Sequence, residues 1–224
     1  MLQEKIKELR RDLIEYATLV ENMIDKSING LLKKDRESLN EVVEKDEPRA
    51  NNTEIVLDEL CTALIAQFQP KAKDLRIILM ALRINGDLER IADYAVNISK
   101  SALFLIDRPQ VKPLIDTPRM AEESVRMLKD SINSYINEDT TLAQNVCERD
   151  SIVDEMGNRI LRELITFMTA EPATIERSLH LLKIARSLER IADLSTNICE
   201  DVIFMVEGEV IKHNISDKNN PVES

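Results

Sequence analysis

The sequence is poor in the residues that break helices or form tight turns. It contains four glycines, seven prolines and no tryptophan in 224 residues. Leu, Ile, Glu, Lys, Arg and Ala are abundant instead, and this composition favours long helices over turn-rich sheets. We therefore predict an all-α protein.

Cysteine pairs and long apolar runs are also missing. Cys61, Cys147 and Cys199 lie far apart with no Cys-x-x-Cys spacing, which predicts neither a disulfide framework nor a thiolate zinc site. We expect all three to be buried as small hydrophobic groups. No stretch approaches the ~18 consecutive apolar residues of a membrane span, and the first residues contain no apolar signal-peptide core. We expect a cytoplasmic protein without direct membrane insertion.

Catalytic motifs and an excess of positive charge are absent as well. The formal net charge is −11, which disfavours nucleic acid as a partner. The two histidines, His180 and His213, belong to no Glu-x-x-His pair, so the ligand set of ferritin-like di-iron bundles is missing. There is no Gly-rich phosphate loop, no HExxH and no recognisable nucleophile, so we do not expect an enzyme.

Prolines divide the chain into two similar halves, because proline disfavours helix in the residue before it and in a helix interior. We predict repeats at residues 1–108 and 117–211, a proline-rich connector at Asp107–Pro118 and a frayed polar tail at 212–224. The predicted helices are Leu2–Lys33, Arg36–Phe68 with a perturbation near Pro48, Ala72–Ile106, Arg119–Ile136, Asp139–Thr169 and Pro172–Glu207.

The two halves carry an internal repeat. LERIAD occurs at 88–93 and at 188–193, and both copies continue with Asn and Ile at 97–98 and 197–198. This repeat at an offset of 100 predicts two tandem three-helix bundles. The middle helices align weakly at an offset of 104, which places Asp46 opposite Asp150 and Ala50 opposite Asp154.

Each third helix has an apolar seam with spacings of 3 and 4 residues, typical of a packed helix. The seam residues are Leu88, Ile91, Ala95, Ile98, Ala102 and Leu105 in the first half, and Leu188, Ile191, Ser195, Ile198, Val202 and Met205 in the second. About 180° from each seam lies an acidic face. These faces carry Glu89, Asp93 and Asn97, and Glu189, Asp193 and Asn197.

Carboxylates at positions i and i+4 repel one another, which costs a helix a few tenths of a kcal/mol. A bound cation would reverse that penalty, and Asp150 with Asp154 on a middle helix supplies a second such pair. The alternative is an ordinary solvated face, because Arg90, Lys100 and Arg190 lie beside these acids. The spacing alone favours the solvated face, and its repetition at one offset favours a shared role.

The strings LERIADYAVNI and LERIADLSTNI resemble the third-helix signature of the PhoU family, and the six-helix plan covers nearly the whole chain. The resemblance implies two three-helix bundles side by side, and iron or zinc clusters bound by (Glu/Asp)-x-x-x-Asp motifs. The matching pairs are Glu89 with Asp93, Glu189 with Asp193, and Asp150 with Asp154.

The first half departs from the family motif, since Asp46 is followed by Pro48 and by Ala50 in place of the second acid. If a third helix of one half faces a middle helix of the other, Asp150 and Asp154 with Glu89 and Asp93 would form the better furnished site. The sequence leaves open which helices pair.

The resemblance also implies a function. Such a protein would be a negative regulator that links the ATPase of a phosphate ABC transporter to a two-component sensor histidine kinase, and exposed helical faces suggest a homodimer. Two alternatives remain at this stage. The first is a metal-free helical scaffold with solvated acids, and the second, less favoured, is a metal-dependent enzyme.

Overall fold

The computed structural model describes residues 1–207, and no strand occurs in this part of the chain. The predicted tail at 212–224, and the last residues of the second predicted repeat, lie outside the described residues. The helices are α1 (Leu2–Lys33), α2 (Arg36–Glu41), α3 (Glu47–Phe68), α4 (Ala72–Leu105), α5 (Asp116–Asn137), α6 (Thr140–Ala170) and α7 (Ile175–Glu207).

The prediction of an all-α fold is confirmed, and α1 has the predicted bounds. The predicted start of the fourth long helix at Arg119 is wrong, because α5 begins at Asp116 and contains Pro118. The first N–H groups of a helix have no intrahelical partner, so a proline in the first turn removes no hydrogen bond. Pro172 begins a short 3₁₀ turn, Pro172–Thr174, and α7 follows it.

The second predicted helix is perturbed near Pro48, as expected. A π-helical turn, Val42–Asp46, joins α2 to α3, and Pro48 is the second residue of α3. Asp35 caps α2 by accepting a hydrogen bond from the Ser38 N–H at 3.2 Å. Asp139 caps α6 in the same way, through the Leu142 N–H at 2.9 Å. Both middle helices therefore start at an Asp cap.

Each half forms a three-helix bundle. The helices α1, α3 and α4 pack together in the first repeat, with α2 against α1 and α4, and α5, α6 and α7 pack together in the second. The two bundles meet where α4 packs against α7 and α1 against α5. Every predicted seam residue is buried except Leu105, which is half-buried. The seams are thus the cores of the bundles.

Polar side chains fasten the two repeats to each other near one end of this interface. Arg10 of α1 donates to the Ile136 carbonyl at 3.2 Å and to the Glu138 carboxylate at 2.9 Å. The buried Tyr135 hydroxyl donates to the Ile77 carbonyl at 3.3 Å. These bonds fix how the repeats are seated on each other.

None of the helices within residues 1–207 has the length and the apolar composition required to cross a membrane.

Two glycines provide a test of this packing. Gly30 of α1 lies against the fully buried Leu39, and a Cβ at position 30 would be 2.7 Å from the Leu39 Cγ and Cδ2. We expect Gly30→Ala to lower the free energy of unfolding by about 1–3 kcal/mol, because this core side chain has little room to move. Urea unfolding measures the change.

Gly86 in the interior of α4 is the matched control, because a Cβ there meets nothing within 4 Å. Gly86→Ala should raise the free energy of unfolding by about 0.5–1 kcal/mol through its higher helix propensity. Equal effects of the two substitutions would contradict the described contact between α1 and Leu39.

Candidate functional site

The second repeat brings four carboxylates together where α6 faces α7. Asp150 and Asp154 lie on α6, and Glu189 and Asp193 lie on α7. The charges of the other three all act to raise the pKa of Asp150, so each of them lies within electrostatic reach of that carboxyl. We call these four residues the second-repeat cluster.

Burial and mutual repulsion make the second-repeat cluster electrostatically unfavourable as it stands. Burial, followed by the charges of Asp154, Asp193 and Glu189, raises the pKa of Asp150 to about 6. Burial, followed by the charges of Asp154 and Asp193, also raises the pKa of Glu189. The Oδ1 atom of Asp150 is buried and has no hydrogen-bond partner in the described chain. Arg190 compensates in part by donating to Asp193 at 2.9 Å. A cation would offset the remaining repulsion.

The first repeat has a smaller cluster at the equivalent place. Glu54 of α3 lies near Glu89 and Asp93 of α4, and burial and these two neighbours raise the pKa of Glu89, Asp93 contributing more than Glu54. We call Glu54, Glu89 and Asp93 the first-repeat cluster. Tyr16 lies beneath it, almost fully buried, with a hydroxyl that has no hydrogen-bond partner within residues 1–207. Burial and the three nearby carboxylates raise the pKa of this hydroxyl.

The structure answers which helices pair, a question that the sequence left open: the pairing across repeats does not occur. Within the described chain, α6 packs against α5 and α7 but has no contact with α4. Asp150 and Asp154 therefore face the acids of α7 and not Glu89 and Asp93. The reason is that each middle helix completes its own three-helix core, so its acidic side meets the third helix of the same repeat.

Asp46 does not join either cluster. It is buried in the π-helical turn and accepts a hydrogen bond from Lys26 of α1 at 2.8 Å. Lys26 lies ten residues beyond Tyr16 in α1, about 15 Å along the helix axis from the first-repeat cluster. The structure thus places Asp46, which the sequence suggested as a metal ligand, away from both clusters and beside a lysine that compensates its charge.

Glu54 was missed because the wrong offset was applied to the middle helices. The offset of 100, taken from the third helices, pairs Glu54 with Asp154 and Ala50 with Asp150. The Asp caps at 35 and 139 differ instead by 104. The first middle helix therefore contains four extra residues, in the segment that holds the π-helical turn. Four residues exceed one turn by about 0.4 residue, and we infer that the π-helical turn absorbs this excess so that Glu54 still faces α4.

Both clusters offer only carboxylate oxygens, which are ligands that cations accept in proteins. The donors are not yet converged, since no three acidic, histidine or cysteine groups within residues 1–207 are arranged so that they could hold a metal ion. The second-repeat cluster is better suited than the first-repeat cluster to hold a cation. It has four carboxylates and an unpaired buried oxygen, whereas the first has three carboxylates because Ala50 replaces an acid.

His180 and the cysteines considered in the sequence analysis pack against other side chains of the fold. The His180 ring stacks on Phe104 with 3.9 Å between ring centroids, which confirms the prediction of a packing position. Cys61 and Cys199 are buried as predicted, and Cys147 is half-buried with its thiol against that of Cys199.

Known proteins show the same architecture. The PhoU domain family model matches residues 13–102 and 117–202. A phosphate-specific transport system accessory protein PhoU homolog of Aquifex aeolicus is 38% identical over 212 residues, covering 95% of this chain and 96% of the relative. The Escherichia coli PhoU accessory protein is 30% identical over 93% of the chain. The crystal structure of PhoU from Pseudomonas aeruginosa superposes with a TM-score of 0.89 at 30% identity, covering 93% of this chain and all of that one.

The fold, two three-helix bundles with one acidic cluster each, defines a helical protein built from two copies of one domain. The chain belongs to the PhoU family. That family is a non-enzymatic, accessory one, which agrees with the expectation from the sequence.

The raised pKa of Asp150 predicts a pH-dependent stability. Because the folded-state pKa of about 6 lies above the ordinary value of 3.8, ionisation above pH 6 opposes folding. After allowance for partial exposure, Asp150→Asn should stabilise the metal-free protein by about 1–2 kcal/mol at pH 7. The gain should vanish as the pH falls from about 6 to below 4, where the wild-type carboxyl is protonated in both states.

Urea unfolding between pH 3.5 and 7.5 measures this dependence. Glu148→Gln, an exposed position on the same helix, is the control and should change little at any pH. A loss of stability in Asp150→Asn at pH 7 would show that the carboxylate is stabilised where it lies, contrary to the described repulsion.

Proposed function

We propose that this chain is a regulatory adaptor of phosphate uptake and of phosphate-starvation signalling. In this role it acts in the cytoplasm as a negative regulator, linking the ATPase of a phosphate ABC transporter to a sensor histidine kinase. The observation that carries the proposal is the 38% identity, over 95% of the chain, to a phosphate-specific transport system accessory protein. The link to the kinase rests on the family resemblance.

An adaptor without catalytic groups acts by binding one state of a partner more tightly than another. The outer face of α6 offers a contact surface for this purpose. Leu161 and Ile165, one turn apart, are 40% and 48% exposed. Exposed aliphatic residues clustered in this way are typical of protein interaction sites. We assign the transporter ATPase to this surface, and propose that the chain is a homodimer through other helical faces.

Lysine substitutions on α6 test this surface. We expect Leu161→Lys, Ile165→Lys to weaken co-purification with the transporter ATPase by about tenfold or more, because two apolar contacts become charged. The matched control is Ile14→Lys, Leu32→Lys on α1, where the exposures are 37% and 41%. Equal binding by both variants would remove α6 from the interface.

Failure of the wild type to bind either the ATPase or the kinase would reject the adaptor role itself. Sedimentation velocity on the same variants tests the homodimer, which should survive the α6 substitutions. A monomeric wild type would reject it.

We further propose that the second-repeat cluster binds iron or zinc. Asp150, Asp154, Glu189 and Asp193 are the residues that would hold the metal. The support is the concentration of four mutually repelling carboxylates around an unpaired buried oxygen. The alternative is a metal-free helical scaffold, which is favoured by the fact that the donors in residues 1–207 are not already converged.

Elemental analysis of protein purified without a metal-affinity tag decides between a metal-binding cluster and a metal-free scaffold. We expect iron or zinc in the wild type, most of it lost in Asp154→Asn, Asp193→Asn, because a cation needs these charges. The corresponding first-repeat variant, Glu89→Gln, Asp93→Asn, should lose less. Circular dichroism should be unchanged in both. A metal-free wild type would favour the scaffold.

A further inference from the structure

A basic groove lies between α4 and α7, where the two repeats meet. It has a volume of about 500 Å³ and, among the residues that line it in the described chain, none carries a carboxylate. Six of the lining residues are lysine, arginine or serine: Lys100, Ser101, Lys183, Arg186, Ser187 and Arg190. In a chain of net charge −11, such a concentration of positive charge requires an explanation.

The cations of the groove are largely uncompensated. Arg190 bonds to Asp193 at 2.9 Å, whereas Lys100, Lys183 and Arg186 form no ion pair with any carboxylate in residues 1–207. The four side chains are all exposed, so each is available to an incoming anion. His180 adds a buried Nδ1 atom that has no hydrogen-bond partner in the described chain.

The internal repeat provides a comparison for this groove. At the offset of 100, Lys183 corresponds to Arg83 and Arg190 to Arg90. We call the region that contains these equivalent residues the counterpart of the groove. In the counterpart, Arg83 of α4 pairs with Asp201 of α7, and Arg90 pairs with Asp87. The equivalent cations in the other copy are thus neutralised by the protein itself.

Four replacements between the groove and its counterpart change the formal charge, and each removes a negative charge or adds a positive one. The replacements, read from the counterpart to the groove, are Asp87 to Ser187, Asp201 to Ser101, Glu200 to Lys100 and Gly86 to Arg186. Both carboxylates that pair with arginine have become serine hydroxyls, of which that of Ser187 donates to the Lys183 carbonyl at 2.9 Å. The counterpart therefore contains carboxylates that pair with its arginines, whereas no residue that lines the groove in the described chain carries one.

We propose that this groove binds a phosphoryl oxyanion, carried by a small molecule such as a nucleoside polyphosphate. Lysine and arginine charges combined with serine hydroxyls are the donors that recognise phosphate oxygens. The groove has room for a ligand larger than inorganic phosphate, so polyphosphate ligands fit it as well. The proposal does not depend on metal in the carboxylate clusters or on a protein partner.

Isothermal titration calorimetry on the full-length protein tests the proposal. The probes are inorganic phosphate, pyrophosphate and ATP without magnesium, at low salt, with protein as purified and after removal of metal by a chelator. We expect one equivalent of pyrophosphate or ATP to bind in both preparations, more tightly than phosphate. The affinity should fall as salt screens the charges.

Two double variants locate the binding. Lys100→Gln, Lys183→Gln should weaken it by about tenfold or more, since two charged contacts are lost. The control Lys33→Gln, Lys45→Gln changes the net charge equally at exposed positions outside the groove and should bind as the wild type does.

Ser101→Asp, Ser187→Asp rebuilds the carboxylates of the counterpart in the groove. We expect it to abolish binding without lowering the melting temperature, because Lys183 and Arg190 gain internal partners. The proposal is overturned if no phosphate probe binds, if the groove and control variants bind equally, or if a glutamate-rich peptide occupies the groove and the phosphate probes do not. None of these outcomes bears on the binding of the transporter ATPase, which is measured separately.

Discussion

The packing of α4 against α7 determines where the functional features of the molecule lie. Each of these helices also forms the core of its own bundle through its seam, so its remaining faces have fixed neighbours. One face carries the acids and meets the middle helix of the same repeat. Another meets the third helix of the other repeat and carries the basic residues. Helical periodicity thus places the acidic clusters and the α4–α7 interface on different faces of the same two helices.

The duplication has preserved the core and changed the surface. Both seams are buried, yet only the second repeat has a full set of four carboxylates, because Ala50 replaces an acid in the first. The two ends of the α4–α7 interface differ as well, one neutralised and one basic. Buried like charges oppose folding, and proteins usually retain them where they serve a purpose. The two repeats are therefore equivalent in fold and unequal in chemistry.

The sequence predicted the helices and their seams well, because these follow from periodicity along one segment. The bounds of α1 and the burial of the seams were recovered. The pairing of α6 with α7 was not predicted, since it depends on contacts between distant segments and no local sequence pattern indicates these contacts. The pairing of Asp46 with Lys26 was not predicted, because Lys26 lies on another helix. Tyr16 had no signal at all, because a tyrosine on an apolar helix face is most often an ordinary core residue.

The π-helical turn at Val42–Asp46 shows how this architecture tolerates changes in length. Four additional residues lengthen one middle helix by about 6 Å. They do so on the amino-terminal side of Glu54, so the carboxylates stay in phase with α4. Insertions whose length is close to one helical turn can therefore extend an end of the bundle while its centre is unchanged. The reach of such a protein towards its partners can then evolve independently of what it binds in its interior.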